Sequence, residues 1–508
     1  GYTKVNDPVR VGVIGTGDEG NVLIGAITPD YLQVVAISEI RPYNVFRTFH
    51  GDQSSPNAAA VRCGLMKKYG WKTEDEAHKK VTVYDDYKEL LANKDIEGVI
   101  IALPLHLHDK VAIEALKAGK HVLTEKLMAH SVHQCKDMAR VSQQTKKLLA
   151  TGHQRHYSIL YDNAVDTLKR GLMGDVHCVR AQWHRGNLPG KDSWQQPLPD
   201  ELKKQLAKLQ EDIMHASAGA SEALLKRKEL LEQQVLDEGV KAADYGYQEK
   251  KLDDGRVLYT PLEELIRWRL WNRTGGGLMA ELGSHQLDAA GIFCSSQRTD
   301  GKKALPLSVS AVGGRYIFPY DREVDDHVFC TYEFPAPAYD EKDPQLKHRK
   351  IGVTYSSING NGFGGYGEVV MGTKGTLLLL NEAEVMLFKD ASTTTNITVA
   401  KAKGGGPTLD TTASGGGPAA EVGKKALETG PVSRGYTEEM EHWAWCIRNY
   451  DYEKNQPKCQ PKVAMADAII ALTTNIAINE NRRIEFQPEW FDINSDETPE
   501  GVKPSVPV

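Results

Sequence analysis

Six residues near the start of the chain, Gly15-Thr16-Gly17-Asp18-Glu19-Gly20, constrain the fold more than any other stretch. They follow an apolar run, Val9–Ile14, and lead into a helical pattern. In such a strand–turn–helix the first glycine permits the tight turn and the second lets the backbone approach a pyrophosphate. The third allows close helix–strand contact, and the helix N-terminus favours the anion. The next strand pattern ends Val35-Ala36-Ile37-Ser38-Glu39, with Glu39 19 residues beyond Gly20. That is near the spacing at which an acid accepts hydrogen bonds from a ribose. A carboxylate there repels a 2′-phosphate, which favours NAD over NADP, whereas Arg41 close by is a residue that admits NADP.

The rhythm of the first 151 residues extends this start. Strand patterns at Gln33–Ser38, Thr82–Tyr84, Gly98–Ala102, His121–Leu123 and Leu148–Thr151 alternate with helical patterns at 86–92, 109–118 and 131–144. Such alternation implies right-handed crossovers and a parallel sheet covered on both faces, an α/β Rossmann dinucleotide-binding domain over 1–151. Residues 43–70 are an elaboration of it. A second domain, 152–435, reads as α+β with a large, mostly antiparallel sheet. Its strands fall at 175–183, 307–318, 326–334, 350–357 and within 369–390, after a helix at 158–170. A helical insertion occupies about 195–260; its Leu/Lys/Glu/Gln-rich part, 200–238, reads as a hairpin broken near Gly219. Its charge pattern is that of a solvated face or an oligomer contact. Residues 403–433, with two GGGP stretches, read as a mobile loop. Residues 436–508 form two helices and a tail that fold back on the body.

Net charge is −6 with a sequence pI near 6.3, which argues against a nucleic-acid partner needing a basic face. No uninterrupted apolar stretch approaches the roughly 18 residues that span a bilayer, so no membrane partner is expected. The seven cysteines are scattered without a CxxC pair, which argues against a disulfide framework or a structural zinc. They suit a cytoplasmic or a periplasmic location, and a first residue that is Gly rather than Met leaves export open. The close pairs His106/His108 and His153/His156 have no third ligand at recognisable spacing, so no metal is expected.

Chemistry-bearing side chains gather at three further places. The fourth strand runs into Pro104-Leu105-His106-Leu107-His108, and the fifth into Glu125-Lys126-Leu127. Ligands of such sheets bind beyond the carboxyl ends of the strands, so both segments face the nucleotide crevice. Far downstream, Gly275-Gly276-Gly277 precedes Glu281, His285 and Asp288, which share one face of a regular helix. A lysine near a nicotinamide can polarise an alcohol oxygen. A histidine can take the hydroxyl proton as hydride leaves carbon.

On these segments the chain resembles the Gfo/Idh/MocA oxidoreductases, which include glucose–fructose oxidoreductase and inositol dehydrogenase. The matching stretches are GTGDEG, the Glu39 strand end, LPLHLH, TEKL, GGGLMAELGSH, Tyr366-Gly367-Glu368 and Gly372-Thr373-Lys374-Gly375-Thr376. The resemblance spans roughly 8–490. It implies hydride transfer between a sugar or polyol hydroxyl carbon and NAD(P), and a homo-oligomer, dimer or tetramer, built on the open face of the second sheet. The family's Glu-Lys-Pro reads Glu125-Lys126-Leu127 here, and its acid-x-x-x-His reads Glu281 and His285. This implies Lys126, His285 and Glu281 as catalytic residues. Gly15, Gly17, Gly20, Glu39, Arg41, Pro104, His106, His108 and Glu125 are then expected around the cofactor. Arg155, His156, Tyr157, Trp183, His184 and Asp288 are expected around a carbohydrate substrate. A rival reading on the same fold is an NAD-dependent glycoside hydrolase that oxidises its sugar transiently to ease elimination.

Overall fold

The computed structural model describes residues 4–215, 221–382, 384–389, 398–401, 407–410 and 434–508. Most of the 403–433 stretch and the Gly219 break lie outside them. The N-terminal sheet is built from β1 (Val9–Ile14), β2 (Leu32–Ser38), β3 (Thr82–Tyr84), β4 (Gly98–Ile101), β5 (His121–Glu125) and β6 (Leu149–Gly152). They lie in the order β3-β2-β1-β4-β5-β6, and every pairing is parallel. β4 and β5 are buried at every position because helices cover both faces. The order reverses between β1 and β4, so the ends of these two strands open a crevice.

The second sheet has eight strands. β7 (Val176–His184) is joined by β10 (Ser308–Gly314), β11 (His327–Pro335), β12 (Lys350–Ile358), β13 (Tyr366–Gly372), β14 (Gly375–Leu380), β15 (Glu384–Lys389) and β18 (Ile484–Glu485). Their order is β15-β14-β13-β7-β12-β11-β10-β18, antiparallel except for β7 with β12. Two ribbons, β8 with β9 (Lys250–Lys251, Val257–Tyr259) and β16 with β17 (Thr398–Lys401, Pro407–Asp410), stand apart. Alternation along β11 and β12 decides the faces. Val328, Cys330, Tyr332 and Phe334 with Ile351, Val353 and Tyr355 are buried, while Phe329 on the other face is exposed.

Helices Ser284–Ser296 and Pro461–Glu480 belong to that buried layer. Pro461–Glu480 is long and apolar enough to cross a membrane by length and composition only, although Lys462, Asp467 and Asn475 interrupt its apolar run. Here the sheet and its neighbours take up that apolar surface, and Ala464–Thr474 are buried throughout. Helix Tyr436–Arg448 returns to the first domain, where Trp443 abuts Gly98 and Met440, Ala444 and Cys446 join its core. The tail is tied to helix Val132–Thr145: the buried Lys136 ammonium donates to the carbonyls of Glu489, Ser495 and Glu497 at 2.7–2.9 Å. The predicted hairpin is helices Pro199–Met214 and Glu222–Val235, closed over Leu202, Leu209 and Leu231.

Candidate active site

The three glycines differ in what surrounds them. Gly15 has φ +83°, and a Cβ there would lie 2.5 Å from the Ala102 carbonyl oxygen. A Cβ on Gly20 would strike the Gly15 carbonyl. Around Gly17 the nearest atom is Asn44 Nδ2 at 3.9 Å, so the backbone faces open space where a phosphate fits. Burial raises the Asp18 carboxyl, but the nearby Arg47 and Arg269 outweigh it and hold it down at about 2. The Asp18 Oδ1 accepts from Arg47 at 2.6 Å, so that charge is answered beside the turn.

Glu39 is fixed as the turn requires. Its carboxylate accepts from the backbone N–H of Thr16 (2.9 Å), Ile40 (2.8 Å) and Arg41 (2.9 Å), and from Asn44 Nδ2 (3.2 Å). A cavity of about 750 Å³ opens beyond it, walled by Gly15, Gly17, Glu39, Pro104, Glu125, Lys126 and Glu281 among others. The insertion supplies the facing wall with Gln234, Asp237 and Tyr247. The open cradle at Gly17, the anchored Glu39 and this volume fit a dinucleotide.

At the far end of the crevice Lys126 leaves β5 through a cis Lys126–Leu127 peptide, with leucine where the family pattern has proline. Its ammonium donates to the Glu281 carbonyl at 2.9 Å. Glu281 sits in a π-helical turn, Met279–Gly283, ahead of the regular helix. An i→i+5 turn rotates the residues on its N-terminal side relative to those on its C-terminal side. The face expected to carry Glu281, His285 and Asp288 together is therefore split. Glu281 turns to Arg269 Nε at 2.9 Å instead of to His285. Burial raises its carboxyl, but Lys126 and Arg269 outweigh that and keep it below the ordinary range. Burial, with the Lys126 and Arg155 charges, pushes His285 well below the usual imidazole range, so its ring is neutral. The Trp183 ring lies 5.7 Å from it and is stacked on Tyr366 at 4.5 Å. Glu125 is pushed up to about 8 by burial and by Glu19.

Several expected ligands have scaffold roles. Arg155 is sealed in the core: Nε donates to Glu382 at 2.7 Å, and Nη1 donates to Glu368 at 3.1 Å and to the His285 carbonyl at 2.7 Å. The Tyr157 hydroxyl accepts from Lys458 N at 3.0 Å and meets His442. His184 is bonded through both ring nitrogens, to the Phe363 carbonyl and the Ser356 hydroxyl. His108 is buried and bridges the Leu103 and Leu127 carbonyls at 2.8 Å each, stapling two crevice loops together. His106 sits edge-on to Tyr247 of the insertion, 5.6 Å away. Arg41 is turned to Asp237.

Asp288 is buried and accepts from His156 Nε2 at 2.7 Å. It gathers with His153 and Asp467, whose ligand atoms lie within 4.8 Å of one another, a convergence that sequence spacing could not supply. The Lys303 ammonium pairs with both carboxylates and so provides the cation there. Arg269, too, escaped the sequence reading. The alternation of Arg and Trp in Arg267–Trp271, just before the glycine run, is the signal that marks it.

A parallel sheet whose crevice opens on the glycine turn, Glu39, Lys126 and Glu281 defines the class of the first domain, a dinucleotide-binding Rossmann fold. Residues 9–153 match the GFO_IDH_MocA sequence family, described as an oxidoreductase family with an NAD-binding Rossmann fold. Inositol 2-dehydrogenase 1 of Saccharopolyspora erythraea is 30% identical over 179 residues, 34% of this chain and 45% of that protein. A glycosyl hydrolase family 109 protein of Solibacter usitatus is 24% identical over 178 residues, 34% of this chain and 36% of that protein. The chain thus spans less than half the length of these curated relatives. The fold extends further: the WlbA dehydrogenase from Bordetella pertussis, solved with NADH and UDP-GlcNAcA, superposes with a TM-score of 0.57 at 14% identity. That match covers 95% of this chain and 99% of the other.

Proposed function

We propose that the chain is an NAD-dependent dehydrogenase that moves hydride between nicotinamide and a hydroxyl carbon of a sugar, glycoside or polyol. The observation that carries the reading is the cavity walled jointly by the glycine turn, Glu39, Lys126 and Glu281. Gly17 and the start of the helix Asp18–Ala26 would hold the pyrophosphate, and Glu39 the ribose. Bound NAD supplies the hydride acceptor. Lys126 polarises the substrate oxygen and favours its alkoxide character. The neutral His285 ring takes the hydroxyl proton. Glu281, kept ionised by Lys126 and Arg269, accepts from a neighbouring hydroxyl. Trp183, stacked on Tyr366, offers an apolar face to a pyranose.

The glycosidase reading is supported by the family 109 relative and shares the oxidation step. Incubation with NAD and a panel of free sugars, polyols and aryl glycosides, following NADH absorbance and aglycone release together, separates the two. Lasting NADH that is lost in Lys126→Ala supports the dehydrogenase. Aglycone release without lasting NADH moves the assignment to redox-assisted cleavage, and silence in both channels refutes the reading. The exposed sheet face carrying Val312 and Phe329 is our candidate for a contact between copies of the chain.

A further inference from the structure

The helical insertion is not needed to complete a nucleotide-binding sheet, yet it forms one wall of the cavity. Its Ala242 and Tyr247, with Leu265 from the helix that follows, pack with Ile40 and Leu107, residues that lie beyond β2 and β4. That contact fixes the turn Leu236–Gly239 over the end of β2. From this turn the buried Asp237 reaches Arg41. Arg41 Nε donates to Asp237 Oδ2 at 2.9 Å, and Nη2 lies 2.8 Å from the same oxygen. The other oxygen, Oδ1, accepts from the Tyr43 backbone N–H at 3.1 Å, which locks the carboxylate in place.

Arg41 is the cation two residues beyond the ribose acid, where a 2′-phosphate would seek a partner. Resting on the NAD-dependent reading above, we propose that Asp237 is a cofactor-selecting residue. It cancels Arg41 and holds the guanidinium away from the ribose, so that the Glu39 charge stands unopposed. The insertion thereby excludes NADP. Glu39 alone would leave the arginine free to swing to a phosphate, so both carboxylates are needed for strict selection. The device is a pairing across 196 residues of sequence.

The test is direct binding of NAD+ and of NADP+, measured by calorimetry on the full chain and its variants. Asp237→Asn and Asp237→Ser each keep an acceptor for the Tyr43 N–H and remove the charge. Both should tighten NADP+ by about tenfold or more, the size expected when a charged donor is freed for a phosphate. NAD+ affinity should move by no more than about twofold, since its ribose hydroxyls carry no charge to pair with Arg41. Adding Arg41→Ala to Asp237→Asn should abolish the gain. Unchanged NADP+ affinity in folded variants that still bind NAD+ would overturn the inference and leave the dehydrogenase reading intact. Collapse of both single variants would make Asp237 a scaffold residue, which also overturns it. Failure of the unaltered chain to bind NAD+ would remove the dehydrogenase reading and this inference with it.

Discussion

Replacing Arg155 with methionine distinguishes a scaffold arginine from a substrate ligand. Methionine fills a similar volume and removes the charge. Of the two carboxylates that Arg155 pairs with, Glu382 keeps a second cation, because Arg434 Nε donates to it at 2.8 Å. Among the described residues Glu368 keeps only neutral donors, the Tyr161 hydroxyl and the Gln286 amide, each at 2.9 Å. The loss therefore concentrates on one buried, uncompensated charge, for which about 3–5 kcal/mol is typical. Burial already pushes Glu368 up to about 7 despite Arg155. Without the arginine it will hold its proton still more firmly in the folded state, while the unfolded carboxyl stays near 4.5. The folded state then binds the extra proton, so stability falls as pH rises above that value. The penalty should be small near pH 5 and largest above pH 8. Adding Glu368→Gln should recover most of it and flatten the pH dependence. Denaturant midpoints across pH measure this, with midpoints preferred to a single unfolding free energy for a chain of this size. An Arg155→Met protein of unaltered stability whose only defect is a raised KM for sugar would refute the argument and restore Arg155 to the substrate.

The same geometry sets other expectations. Gly20→Ala places a methyl against the Gly15 carbonyl and should lower the melting temperature, whereas Gly17→Ala meets open space and should spare it while weakening NAD binding at least tenfold, about 1.4 kcal/mol. Since burial and Lys126 keep His285 neutral, the acid limb of kcat/KM should lie below the ordinary histidine range; a limb near 6.5 that vanishes in His285→Gln would contradict this. Hydrogen bonds from Arg448 lower Glu97 to about 2 from its ordinary 4.5, so this contribution is full above that ordinary value and lost as pH falls towards 2. The melting-temperature gap between the unaltered chain and Glu97→Gln should close over that interval, and a gap that persists at pH 2 would refute the assignment.

What the sequence determined is what neighbouring residues decide among themselves. The strand–turn–helix at Gly15–Gly20 was legible because glycine sterics act over six residues. The alternation in β11 and β12 was legible because a strand with one buried face repeats every two residues. Lys126 and Glu281 were legible as crevice residues because strand ends and a glycine run mark them. Tertiary structure alone decided which partner each polar side chain takes. Arg155 finds Glu368 213 residues away, and Arg41 finds Asp237 across 196. Asp288 turns inward because a π-helical turn, invisible to a count of i and i+4, divides its face from that of Glu281. A buried charge must be answered by whatever group the fold brings within about 3 Å. Backbone periodicity is written locally along the chain, but that proximity exists only once the chain has closed.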